Sequence, residues 1–102
     1  MYTNDFSTRL TKLREAKGVS ARDMSLSIGQ NAGYINSIEN GKALPSMTSF
    51  FYICEYLNIT PKEFFDDDNN YPEKTRHLIA YLHKLDESQL NNITAIVEGL
   101  TK

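Results

Sequence analysis

The chain has 102 residues, with 11 lysines and arginines against 13 aspartates and glutamates, and a formal net charge of −2. Its hydrophobic content of 40% suffices for one small core without disulfides or a metal ion, and the single cysteine excludes an intramolecular disulfide. Since no signal peptide and no long apolar segment is visible, we expect no membrane span and a cytoplasmic location.

The first predicted helix runs from about Asp5 to Lys17 and ends at Gly18. Apolar side chains recur along it at spacings of three and four, which is typical of a helix that buries one face. Its outer face carries basic side chains that are expected to be solvated, namely Arg9, Lys12 and Lys17.

Two short helices joined by a tight turn are predicted between residues 20 and 41. Ser20, with Asp23 three residues later, is a cap signal for the first of them. Gly29 ends that helix, because glycine takes the left-handed backbone conformation that turns the chain sharply. Asn31 is expected to cap the second helix, which Gly41 ends.

A fourth and a fifth helix follow. Ser46 is expected to cap Met47 to Leu57, a segment that is apolar almost all round and is therefore predicted to be buried. Thr60, with proline next and Glu63 three residues later, predicts a short fifth helix. Cys54 is interpreted as a small buried hydrophobe rather than a nucleophile. The phenylalanines assigned to the core are Phe50, Phe51, Phe64 and Phe65.

Residues 66–71 are predicted to be an acidic linker, since clustered charge and asparagine bury nothing. Before it, residues 1–65 hold 7 basic and 6 acidic side chains, while residues 66–102 hold 4 and 7. A calcium loop is disfavoured because the segment lacks the glycine and the distant glutamate that such a loop needs.

Residues 72–102 are predicted to form a helical hairpin, with helices from Pro72 to Leu85 and after an Asp86 cap. The second helix carries an apolar stripe that is wider than one neighbouring helix can cover, so a second subunit or the main domain must bury it. We favour a dimer. The predicted dimer interface consists of Leu90, Ile93, Ile96, Val97 and Leu100.

The pattern from I-G-Q-N to I-E-N-G, at residues 28–41, resembles the Cro/Xre-type (lambda repressor-like) helix-turn-helix family. LTKLREAKGVS is similar to the family's first helix, and PSMTSFFYICEYLNITPKEFF to its fourth and fifth, so the resemblance covers about Phe6 to Phe65. It implies a five-helix DNA-binding domain in residues 1–65. With the predicted hairpin, which lies outside the resemblance, the expected fold class is all-α. It also implies that the third helix enters the major groove of double-stranded DNA.

The resemblance also implies roles for individual residues. Arg14 and Glu39 are expected to form a bidentate ion pair that ties the first helix to the third. The base-facing positions carried over from the family are Asn31, Ala32, Gly33, Asn36 and Ser37, and Gln30 and Tyr34 beside them are predicted to join this base-facing set. The expected phosphate contacts are Ser20, Arg22, Asn40, Lys42 and Ser46.

Ala32 and Gly33 leave this surface poor in hydrogen-bonding side chains. Glycine inside a helix also costs roughly 1 kcal/mol of helix propensity. Either Gly33 allows close packing of the helix, or sequence is read by its polar neighbours and through the shape of the DNA.

The leading functional prediction is a small dimeric DNA-binding transcription regulator, a repressor of the phage, mobile-element or antitoxin kind. The alternative is a protein-interaction module that keeps the fold without binding DNA, as the low charge would suit. An enzyme is not expected, because no catalytic constellation, phosphate loop or small-molecule substrate site is evident. No cofactor is expected and no metal site either, since His77 and His83 lack further ligands at suitable spacing.

Overall fold

The computed structural model describes residues 2–102, apart from the side chains of residues 3 and 4. Within that range the chain is helical and contains no strand, which confirms the predicted all-α fold class. Its helices are α1 (Tyr2–Lys17), α2 (Ala21–Ser27), α3 (Tyr34–Glu39), α4 (Met47–Leu57), α5 (Pro61–Phe64), α6 (Pro72–Leu82) and α7 (Glu87–Leu100).

Four helices begin at the capping residues that the sequence predicts. The side chains of Ser20, Ser46, Thr60 and Asp86 each accept a hydrogen bond from the backbone N–H three residues later, at 2.8–3.1 Å. At Thr60 and Asp86 the residue three positions on returns the bond, completing a capping box. These caps satisfy N–H groups that a helix cannot pair internally, so they set the starts of α2, α4, α5 and α7.

Helices α1 to α5 enclose one hydrophobic core. Gly18, Gly29 and Gly41 all have a positive φ, so the chain reverses where the sequence predicts. The large apolar side chains with 0% exposure come from all five helices and are Leu10, Met24, Ile35, Ile38, Ile53 and Phe64.

The predicted burial of the phenylalanines is right for two and wrong for two. Phe50 and Phe64 are buried and meet edge to face, with ring centroids 5.1 Å apart. Phe51 is 46% exposed and Phe65 is 61% exposed. A domain of this size can cover only one side of α4, so the apolar residues on its other side remain in solvent.

Arg9 is not solvated, contrary to the prediction. It is only 3% exposed, and its guanidinium donates hydrogen bonds to the backbone carbonyls of Phe64 and, at 2.8 Å, of Glu63. These carbonyls lie at the C-terminal end of α5, where a helix carries partial negative charge. Burial lowers the pKa of Arg9, and Asp67 and Asp66 oppose that shift. Arg9 therefore fixes α1 to α5.

The start of α6 is anchored to this domain. Pro72 is buried, and Arg76 donates hydrogen bonds to Glu63 at 2.7 Å and to the carbonyl of Asn58 at 3.1 Å. The acidic segment, residues 66–71, therefore leads into a helix that is held against the domain. The predicted domain boundary at this segment, between residues 1–65 and the hairpin of residues 72–102, remains a prediction.

The end of α6 and all of α7 project from the domain. α6 ends at Leu82, before the predicted Leu85, because the N–H groups of Lys84 and Leu85 bond to carbonyls three residues back and tighten the chain into a turn. No residue of α7 is buried. The radius of gyration is 16.6 Å, and the longest dimension is 51 Å. A compact chain of this length would have a radius of gyration of about 13 Å.

Candidate nucleic-acid interface

The turn between α2 and α3 is set by backbone geometry. Gly29 has a φ of +79° and its N–H donates to the carbonyl of Leu26 at 3.1 Å, while the N–H of Gln30 donates to the carbonyl of Ser25 at 2.9 Å. A Cβ atom at Gly29 would meet no atom within 4 Å, so the backbone angle, rather than crowding, favours glycine.

Asn31 does not cap α3, contrary to the prediction. α3 begins at Tyr34, and the residue in the cap position is Gly33. The side chain of Asn31 instead accepts a hydrogen bond from the N–H of Gly33 at 3.1 Å and so closes its own turn. Gly33 is therefore outside the helix interior, and the expected loss of helix propensity does not apply.

A buried serine joins the two paired helices. The hydroxyl of Ser25 on α2 donates to the carbonyl of Ala21 at 2.7 Å and accepts from the N–H of Ile35 on α3 at 2.9 Å. Ile35 and Ile38 have 0% exposure, so the inner side of α3 is fixed in the core. Because α3 has only six residues, its orientation depends on these contacts rather than on its own helical stability.

The predicted ion pair between Arg14 and Glu39 is present in the structure and is bidentate. Arg14 Nε lies 2.7 Å from one carboxylate oxygen of Glu39, and Nη2 lies 2.9 Å from the other. Thr11 donates a further hydrogen bond to the carboxylate at 2.8 Å, and Arg14 also donates to the carbonyl of Val19. The hydrogen bond to Glu39 raises the pKa of Arg14. The end of α3 is thereby tied to α1.

The base-facing candidates lie on α3 and on the turn before it. Asn36 is exposed on α3, Ser37 is half-buried beside it, and Tyr34 packs partly against the core. Asn31 and Gly33 are exposed in the turn, with Ala32 half-buried between them.

Gln30 connects this surface to the amino end of α4. Its Nε2 lies 3.5 Å from the hydroxyl of Ser49, in the first turn of α4. The turn before α3 and the start of α4 therefore form one continuous surface, a proximity for which the sequence carries no signal.

The phosphate-contact candidates lie on or beside α2, directly after α3 and at the start of α4. Arg22, Asn40 and Lys42 are exposed, and the backbone N–H of Lys42 donates to the carbonyl of Ser37 at 2.9 Å, which holds the lysine close behind α3. Ser20 and Ser46 occupy the cap positions of α2 and α4. The positive end of the α4 dipole therefore lies beside this surface.

The ion pair also changes the charge of this surface. Between residues 29 and 49 the only charged side chains in the sequence are Glu39 and Lys42. The side chain of Glu39 is 9% exposed and is neutralised by Arg14. Lys42 is exposed and lies more than 4 Å from any carboxylate in the described part of the chain. The segment therefore presents a positive charge although the whole chain is acidic.

Other kinds of site are less well supported among residues 2–102. No cluster of three or more histidine, cysteine, aspartate and glutamate side chains is arranged to hold a metal ion. No helix in this range is long and apolar enough to cross a bilayer. Cys54 is buried, and its burial raises the pKa of the thiol to about 11, which disfavours the reactive thiolate.

One cleft lies away from α3. It has a volume of about 300 Å³ and separates α1 from the start of α6. Its walls include Leu13, Leu57, Ile59, Tyr71 and Pro72.

The comparisons with known proteins identify the paired helices. A family model described as helix-turn-helix matches residues 10–64, which is more than half of the chain and contains α2, α3 and α4 completely. Neither the curated proteins nor the solved structures gave a match.

Proposed function

The chain belongs to the Cro/C1-type helix-turn-helix family of DNA-binding regulators, and we propose that it represses transcription as a sequence-specific homodimer. The observation that carries the proposal is the polar, exposed outer side of α3, held in a fixed orientation by Ser25 on one end and Arg14 on the other. Phage, mobile-element and antitoxin regulators of this kind act in the cytoplasm, where we expect this protein too.

In this proposal α3 lies in the major groove with Asn36 towards the base edges. Asparagine bonds adenine bidentately, and Asn31 and Gln30 extend the same polar surface towards α4. The other residues that lie close to the bases in this proposal are Ala32, Gly33, Tyr34 and Ser37.

Phosphate groups on either side are held by the surrounding candidates. Arg22 and Lys42 supply charge, Asn40 and Ser20 supply polar side chains, and the start of α4 at Ser46 supplies unpaired N–H groups. Because backbone amides need no lysine, they help a nearly neutral domain to bind DNA.

The experiment compares two variants on DNA selected from a random pool and on random duplex, at several salt concentrations. Asn36→Ala should weaken binding to the selected site by roughly 1–3 kcal/mol and relax preference there. Lys42→Ala should weaken binding to every sequence alike and flatten the log–log salt slope by about one unit.

Two exposed residues elsewhere provide matched controls. Asn70→Ala and Lys62→Ala remove the same side chains outside the proposed DNA-binding surface and should bind both DNAs as the wild type does. If Asn36→Ala and Lys42→Ala also bind as the wild type does, the face of α3 does not contact DNA. The chain is then better described as a protein-interaction module.

Dimerisation is assigned to the exposed stripe of α7. Its side chains are 38% exposed at Leu90 and Ile93, 48% at Val97, 59% at Ile96 and 79% at Leu100. A contiguous apolar face of this kind is typical of a protein contact. Ile93→Glu should give a folded monomer, measured by sedimentation and circular dichroism. A wild-type protein that stays monomeric at high micromolar concentration would contradict the assignment.

A further inference from the structure

The apolar surface outside the core extends over both projecting helices. On α6, Leu78 is 56% exposed, Ile79 is 47% and Tyr81 is 68%, so α6 also carries uncovered apolar surface. The two helices are joined by a four-residue turn, yet they leave most of each other's apolar side chains in solvent. A partner that covered α7 alone would leave the exposed side of α6 unexplained.

The two helices carry opposite charge. Between residues 72 and 85 the chain has Lys74, Arg76 and Lys84 against one acid, Glu73. Between residues 86 and 100 it has three acids and no lysine or arginine; the acids are Asp86, Glu87 and Glu98. Two copies of α7 placed side by side would therefore repel each other, whereas α7 beside α6 would be attractive.

The spacing of these charges matches between the helices. Lys74 and Lys84 are ten residues apart, and Glu87 and Glu98 are eleven apart. At a helical rise of 1.5 Å per residue Glu87 and Glu98 are about 16.5 Å apart along α7. Lys74 lies in the first turn of α6 and Lys84 in the turn that follows its last residue, so two lysine–glutamate pairs can form at once. Within one chain none of the four residues has an ion-pair partner within 4 Å in the described range.

We infer that, in the homodimer, α7 of one copy lies beside α6 of the second copy, and reciprocally. The inference rests on the proposed dimer and names its geometry. Each α7 stripe covers the apolar side of the opposite α6, and the acids of α7 face the lysines of that α6. The contact is isologous, so every attractive pair occurs twice.

Two charge-reversal variants test this geometry. In variant one, Lys74→Glu and Lys84→Glu make α6 and the turn after it acidic. In variant two, Glu87→Lys and Glu98→Lys make α7 basic. Each variant alone places like charges across both contacts, so its homodimer should be weaker than the wild type by about tenfold at low salt. An equimolar mixture restores attraction at both contacts and should form a heterodimer with wild-type affinity.

Sedimentation measures the affinities, and native mass spectrometry identifies the heterodimer. Lys12→Glu with Lys62→Glu is the matched control, because it changes the net charge as variant one does but alters exposed lysines of α1 and α5. Its homodimer should keep nearly the wild-type affinity.

The possible results test the reciprocal α6–α7 contact and the existence of the dimer separately. If variant one dimerises as the wild type does, or if mixing restores nothing, the reciprocal α6–α7 contact is wrong although the dimer stands. If the wild type is a monomer, both proposals fail. The DNA-binding proposal is judged separately by the Asn36 and Lys42 variants.

Discussion

The hydroxyl of Ser25 accepts a hydrogen bond from the backbone N–H of Ile35, 2.9 Å away and buried in the core. Ile35 is in the first turn of α3, where a helix leaves its N–H groups unpaired. A side chain of α2 thus takes the place of the missing cap at Gly33, and the helix that carries the base-facing candidates is held by its neighbour.

Ser25→Ala should destabilise the protein by about 1–2 kcal/mol, because it leaves the buried N–H of Ile35 without an acceptor. The measurement is thermal unfolding, with Ser27→Ala as the control, since Ser27 is exposed on the same helix. Equal melting temperatures for the two variants would show that the hydrogen bond contributes nothing to stability.

Glu39→Ala should destabilise the protein by about 2–3 kcal/mol, because it leaves the guanidinium of Arg14 largely buried without its carboxylate. The side chains of Arg14 and Glu39 are 17% and 9% exposed, so water relieves part of the loss. Glu39→Ala, the corresponding variant of Arg14 and the double variant form a thermodynamic cycle, in which chemical denaturation measures each stability. If the two single losses simply add, the residues are not energetically coupled.

Arg9→Met should lower the free energy of unfolding by about 1–3 kcal/mol, since the carbonyls at the end of α5 lose their donors. Lys12→Met changes an exposed lysine on the same helix and should alter stability by less than about 0.5 kcal/mol. Chemical denaturation compares the two. A small effect of both substitutions would mean that Arg9 is solvated after all.

Cys54 should make stability depend on pH in the alkaline range. Burial raises the pKa of the folded thiol from 9.0 to about 11, so between these values the unfolded chain loses the proton first. The unfolded state then binds fewer protons than the folded state, and stability falls as pH rises, by about 3 kcal/mol in total. This contribution is fully present below pH 9.0 and is lost through about pH 11.

Denaturation curves at several pH values between these limits measure that loss. Cys54→Ala removes the thiol but keeps every tyrosine and lysine that titrates in the same range. Its stability should therefore fall less steeply with pH than that of the wild type. Parallel slopes would contradict the raised pKa.

Local signals allowed the sequence to predict most of the helix starts. Ser20, Ser46, Thr60 and Asp86 each act on a backbone group three residues away, so their role is visible within one turn of chain. The start of α3 was harder to predict. Asn31 and Gly33 are both acceptable caps, and the difference arises because the Asn31 side chain bonds within its own turn.

Contacts between distant residues could not be predicted from pattern alone. Arg9 bonds to carbonyls 54 and 55 residues away, and on α1 it looks the same in sequence as the exposed Lys12. The Arg14–Glu39 pair, 25 residues apart, was predicted only because a family resemblance supplied it. The orientation of the candidate DNA surface depends on such contacts. The sequence can therefore name candidate residues for this surface, but it does not give their arrangement.

The attachment of α6 has a consequence for operator choice. Pro72 is buried and Arg76 bonds to both Glu63 and Asn58, so the helix leaves the domain in one direction. A dimer joined through such arms would hold its two α3 helices at one separation, and it should accept operators of one length only. Adding five base pairs between half-sites rotates one of them by about half a helical turn, to the opposite side of the duplex. The second subunit would then lose its half-site although every contacted base is unchanged.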